Sequence, residues 1–184
     1  MTLAGLFGAL LAFTGYVLCR SYSVYLLLAS FGLGLNWLGD SLDGTLARTR
    51  HIERPRYGFF LDHSTDIVSQ VLIGLGLGIS PFVRFDVACL ALVAYLALAA
   101  LSFVKKSVSG SLQIAYLNIG PTETRCALIC LNTVLLWYRP QPIMTLLGSL
   151  SPVDIGILGT CLCASMVFTV TVFREARKLS LDDR

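Results

Sequence analysis

Two short runs hold most of the groups in this chain that could do chemistry: Asp40-x-x-Asp43-Gly44-x-x-Ala47-Arg48 and, nine residues on, Gly58-x-x-x-Asp62-x-x-x-Asp66. Four of the eleven acidic residues fall here, on segments that are otherwise apolar. An ionised aspartate inside a membrane helix costs about 2.5–3.5 kcal/mol on the insertion scale, and clustered carboxylates also repel one another. Bound cations would remove both penalties. All-oxygen ligation favours Mg²⁺, Mn²⁺ or Ca²⁺ over zinc or copper, and four shared carboxylates suit a pair of divalent ions. Such pairs clamp the attacking and leaving oxygens of a phosphoryl displacement. Gly44, Ala47 and Gly58 keep the cavity wall low where a ligand lies close to backbone, and Arg48 is placed to pair with a phosphate oxygen.

Helices must position these groups. Asp40, Asp43, Gly44 and Ala47 fall on one helical face, and Gly58, Asp62 and Asp66 share a face on the next helix. The 49–56 loop between them carries Arg50, Arg54, Arg56 and Pro55. So short a connection predicts antiparallel neighbours that pack on each other, with the two acidic faces opposed.

Composition sets the medium. The 184 residues are 55% hydrophobic and 14% charged, with a mean hydropathy of +0.75, outside the usual soluble range. The long apolar runs lack the two-residue alternation of a transmembrane barrel, so the expected fold is an all-α membrane protein. Spans are expected at 2–18, 22–38 (continuing as helix to 47), 57–79, 86–104, 121–138 and 153–173. Residues 107–120 read as a loop or surface helix, and 139–152 as a proline-bearing connection. The first segment lacks the basic start and cleavage site of a signal peptide, which favours a retained helix. Six spans gather eleven Lys and Arg on one side, Arg48 to Arg56, Lys105, Lys106, Arg125 and Arg174 to Arg184 among them, against Arg20, Arg84 and Arg139 on the other. The positive-inside rule then puts the aspartates and both termini in the cytoplasm, in a single six-transmembrane-helix domain spanning 1–184.

The fixed spacing of the two acidic runs resembles that of the CDP-alcohol phosphotransferases, integral-membrane enzymes of phospholipid synthesis. The resemblance implies displacement of CMP from a CDP-linked alcohol by a hydroxyl acceptor. It implies that Asp40, Asp43, Asp62 and Asp66 ligate two divalent cations, Mg²⁺ or Mn²⁺, and that Asp66 also takes the acceptor's proton. Gly44, Ala47, Arg48 and Gly58 would lie along the CDP moiety, and a homodimer in the membrane is implied, with no nucleic acid partner. The Asp62-His63 pair is similar to the branch that transfers choline or ethanolamine phosphate, whereas the branch using CDP-diacylglycerol to make phosphatidylglycerol phosphate typically reads Asp-Pro there. Gly120-Pro121-Thr122-Glu123 is a weaker likeness of the same kind.

Other groups admit plainer readings. His63, Lys105, Lys106 and Arg125 are candidates for contact with an acceptor, although a hydrogen-bonded helical histidine and basic residues anchoring at lipid headgroups account for them as well. Gly74-x-x-x-Gly78 reads as close helix packing, within the chain or between two copies. The six cysteines sit in apolar runs without metal-site spacing and read as small core residues. A divalent-cation transporter or channel is the competing function, opposed by the clustering of all four aspartates at one membrane face. A catalytically silent membrane scaffold is a third.

Overall fold

Six helices and one small hairpin make up the described part of the computed structural model, which covers residues 2–49, 55–109, 120–138, 140–145 and 148–182. The helices are α1 (Thr2–Leu18), α2 (Leu26–Thr49), α3 (Pro55–Ile79), α4 (Phe85–Ser109), α5 (Pro121–Trp137) and α6 (Pro152–Asp182). A 3₁₀ turn, Ser23–Tyr25, leads into α2, and strands β1 (Ile143–Thr145) and β2 (Gly148–Leu150) pair antiparallel before α6.

Small residues decide where backbones meet. Gly5, Gly8, Ala12 and Gly15 on one face of α1 run antiparallel to Ala29, Gly32, Asn36 and Gly39 of α2. A Cβ on Gly8 would strike the backbone of Asn36 and Gly32, and one on Gly32 the backbone of Ala12 and Gly8. Seams of this kind let helices associate by close contact where lipid supplies no hydrophobic drive. The sequence reading missed the seam, although its glycines recur at helical spacing.

The seam has a consequence for the acidic faces. α1 packs along both α2 and α3, whereas those two helices touch little among the described residues. This corrects the expectation that the short loop forces α2 and α3 into direct packing: α2 is drawn onto α1, and α1 also lies along α3. Gly76 of α3 meets Phe13 and Tyr16 of α1, while Gly74 faces Leu92 and Gly78 faces Ala88 and Phe85 of α4. These glycines near the end of α3 therefore serve packing inside the chain. α5 lies against α2, and α6 against α4.

Polar ties cross the apolar interior. The Tyr16 hydroxyl donates to Asn132 Oδ1 at 3.2 Å, and Asn132 Nδ2 donates to Ser30 Oγ at 3.1 Å, joining α1, α5 and α2. Asn132 and Tyr16 are fully buried, so each needs these partners.

At the end away from Asp40, the Asp154 carboxylate accepts backbone N–H groups of Ser151 at 2.8 Å and Arg84 at 2.9 Å. The Asp154 N–H returns a bond to Ser151 Oγ at 3.1 Å, completing a reciprocal cap on α6. A cavity of about 370 Å³ lies beside this clip, between the α3–α4 turn and the hairpin. At the aspartate end, Lys105 of α4 pairs with Glu175 of α6 at 2.5 Å.

Several elements outrun expectation. α4 continues through Lys105 and Lys106 to Ser109, and α6 continues through the basic tail to Asp182. Charge ends the apolar run in both places, but nothing in the chain breaks the helix, so hydropathy marked the medium's boundary and not the helix's. The proline-bearing 139–152 connection holds the hairpin, in which Gly148 takes φ +92°, a conformation suited to glycine. The 107–120 connection lies mostly outside the described residues.

Among the described residues, Phe85–Val108 and Pro152–Leu181 are long and apolar enough to cross a membrane, and Leu3–Leu18 is apolar but shorter. Leu162, Met166 and Phe173 of α6 are more than two-thirds exposed, as suits lipid contact. Cys126, Cys130 and Cys163 are exposed too, which corrects their reading as core residues; only Cys19 and Cys161 are buried.

Candidate active site

Asp40 lies two-thirds of the way along α2, while Asp62 and Asp66 lie one turn apart on α3. Each offers a carboxylate oxygen, and the three oxygens lie within 4.8 Å of one another. All three side chains are partly exposed, 26%, 43% and 32% for Asp40, Asp62 and Asp66. Gly5 and Leu6 of α1 line the small cleft between them, with Thr65 and Ser69 of α3. Tyr95 of α4 is close enough to feel the charges of Asp40, Asp66 and Arg125.

Arg125 enters this cluster from α5. Its side chain is 3% exposed; Nη1 donates to Asp40 Oδ2 at 2.8 Å, and Nε donates to Asn36 Oδ1 at 2.8 Å. Nη2 stands 3.6 Å from Asp66 Oδ1 and has no hydrogen-bond partner among the described residues. Asn36, one turn before Asp40 on α2, is 2% exposed. It donates through Nδ2 to the Gly5 carbonyl at 2.9 Å and to Ser69 Oγ at 3.3 Å. A backbone cap orients α5 locally: Glu123 accepts the Gly120 N–H at 2.8 Å, and Pro121 fills the first helical position, where no N–H is needed.

The structure thus separates the four residues considered for acceptor contact. Arg125 reaches the carboxylates. Lys105 is paired with Glu175, and the Lys106 ammonium sits 3.3 Å from the centroid of the Phe59 ring. His63 Nδ1 lies 3.0 Å from the Phe59 carbonyl oxygen, and its ring packs on Phe59 and Phe103 at centroid distances of 4.1 and 5.3 Å. Its Nδ1 is also 3.7 Å from Asp62 Oδ2.

Gly58 is exposed, and a Cβ there would meet nothing within 4 Å among the described residues. α2 passes through Asp43, Gly44, Ala47 and Arg48, whose surroundings lie outside the described residues, as do Arg50 and Arg54.

Sequence reasoning missed Asn36 and did not foresee that Arg125, a candidate for acceptor contact, reaches Asp40. The signals were present. Asn36 is a polar residue inside an apolar run, on the face of Asp40 and Asp43. Arg125 stands within the first turns of an otherwise apolar helix, where an ionised group needs a partner.

The donor set fits a divalent cation. Among the described residues, three carboxylates face one guanidinium, hard oxygen ligands converge from two helices, and no nitrogen or sulfur ligand joins the cluster. A family model described as CDP-alcohol phosphatidyltransferase matches residues 1–171. The chain belongs to the CDP-alcohol phosphatidyltransferase family. It matches no curated protein and no solved structure. Family membership makes the chain a transferase of phosphate-containing groups, working on a CDP-linked alcohol in the membrane-associated chemistry of phospholipid synthesis.

Proposed function

We propose that this phosphatidyltransferase moves the phosphoryl-alcohol part of a CDP-linked alcohol onto a hydroxyl acceptor, releasing CMP at a site held by two divalent cations, Mg²⁺ or Mn²⁺. The observation that carries the reading is the convergence of Asp40, Asp62 and Asp66 from two helices to within 4.8 Å. Asp43 completes the ligand set. Divalent ions, when bound, neutralise the pyrophosphate and stabilise departing CMP. Asp66 also accepts the proton of the acceptor hydroxyl as the new phosphoester bond forms and the bond to CMP breaks. Gly44, Ala47, Arg48 and Gly58 line the CDP moiety. Arg125, already among the carboxylates, is the residue of the basic set that contacts substrate; His63 stands beside Asp62, Lys106 lies over Phe59, and Lys105 is paired with Glu175.

The chain forms one six-span domain over residues 1–184, with the aspartate end and both termini in the cytoplasm, and works as a homodimer. The start of α1 beside Asp40 of α2, and the pairing of Lys105 of α4 with Glu175 of α6, support placing both termini with the aspartates. The transporter reading gains no support, because Asp154 at the far end is spent on backbone N–H groups.

The test is purified full-length protein incubated with a panel of CDP-linked donors, CDP-diacylglycerol and CDP-amino alcohols among them, with hydroxyl acceptors including diacylglycerol. CMP release that requires Mg²⁺ or Mn²⁺, with a lipid product identified by mass, is expected. Metal uptake into liposomes without nucleotide, and no CMP from any donor, would point to the transporter instead.

A further inference from the structure

We propose that Asn36 is a positioning residue that restrains Arg125, keeping the guanidinium from closing the carboxylate cluster to a divalent cation. The inference rests on reading the cluster as a cation site.

A guanidinium carries five donors in a planar fork and takes carboxylates two bonds at a time when free to do so. In this site it does not. Nη1 alone bonds Asp40, and Nη2 stops 3.6 Å short of Asp66. The edge that would complete a fork is turned aside because Nε donates to Asn36 Oδ1 at 2.8 Å. Asn36 cannot follow the arginine toward the acids, since its Nδ2 is held by the Gly5 carbonyl on α1 and by Ser69 Oγ on α3. One buried amide therefore joins four helices and fixes the plane of the guanidinium beside the carboxylates.

Removing that amide leaves Nε–H buried without its acceptor. Among the described residues, Asp40 and Asp66 are able to satisfy a displaced fork and already lie 2.8 and 3.6 Å from its other nitrogens. Arg125 would then take the oxygens that a cation needs. Without Arg125, Asn36 has nothing to restrain, and its effect on the cation should vanish. A purely structural Asn36, a peg between α1 and α3, predicts a loss that does not depend on Arg125.

The experiment is Mn²⁺ binding to full-length protein in lipid nanodiscs, read from the EPR signal of free Mn²⁺, for wild type, Asn36→Leu, Arg125→Met and the double variant. Asn36→Leu is expected to weaken Mn²⁺ about 10- to 100-fold, the range usual for groups that orient metal ligands. Arg125→Met should bind at least as tightly as wild type, and adding Asn36→Leu to it should change nothing. Equal weakening in both backgrounds, no weakening by Asn36→Leu, or weaker binding by Arg125→Met overturns the proposal. If Asn36→Leu does not fold, Asn36→Ser, too short to reach Nε, carries the same cycle. Wild type that binds no Mn²⁺ would sink the cation reading itself, and this proposal with it; wild type that binds with a flat Asn36 response sinks only the proposal.

Discussion

The bundle withdraws aspartate from bulk water at both ends, to opposite effect. Asp154 is 2% exposed, and its two oxygens accept backbone N–H groups from Ser151 and Arg84. Asp40, Asp62 and Asp66 are a quarter or more exposed and set against one another, with Arg125 among them. A carboxylate satisfied by backbone holds the chain together. Carboxylates facing their own kind repel one another, and a cation placed among them would relieve that repulsion.

Neutralising each kind without changing its shape should break the contrast if it is false. Asp66→Asn is expected to lower kcat for CMP release by about 100- to 10,000-fold, the usual worth of a general base, while leaving thermal unfolding close to wild type. Asp154→Asn should do the reverse, keeping activity within about twofold and costing about 1–3 kcal/mol of stability for a weakened buried acceptor, read by denaturation in detergent. Matching activity losses in the two variants would erase the division.

A second test asks whether the floor of the site depends on the glycine seam. Gly8→Val should cost about 1–3 kcal/mol, toward the upper end because the obstruction is backbone and cannot rotate away. Gly34→Ala, where a Cβ meets nothing within 4 Å among the described residues, serves as the control with little expected change in unfolding temperature. The smallest structural effect is expected at Gly58, also open to a Cβ. Gly58→Ala should leave unfolding unchanged and raise KM for the CDP-linked donor, so that a kinetic change reports ligand contact and not packing. An unchanged KM would remove Gly58 from the CDP-binding set.

The sequence made much of this legible because its strongest signals are local. Aspartates at i, i+3 and i+4 specify a face wherever the helix goes, and Pro121 or Pro55 marks a helix start regardless of neighbours. What stayed hidden depends on partners far along the chain. Arg125 looks like an interfacial anchor until α5 is laid on α2, and His63 looks available until Phe59 and Phe103 close on its ring. Lys105 and Lys106 were legible as basic, but their engagement was not, since Glu175 and the Phe59 face are supplied by other helices. The α1–α2 seam was within reach, but Gly5, Gly8 and Gly32 read as ordinary members of apolar runs unless both helices are searched together for small residues in phase.

The Arg125 bond also sets an order in time. Its partners Asp40 and Asn36 precede it by 85 and 89 residues. At ribosomal rates of about 5–20 residues per second, they are made roughly 4–18 seconds before the arginine that will face them. The glycine seam needs only α1 and α2 and can close during that interval, so the acids wait on a finished floor for their guanidinium. A nascent chain halted before α5 would present those acids without the Arg125 guanidinium.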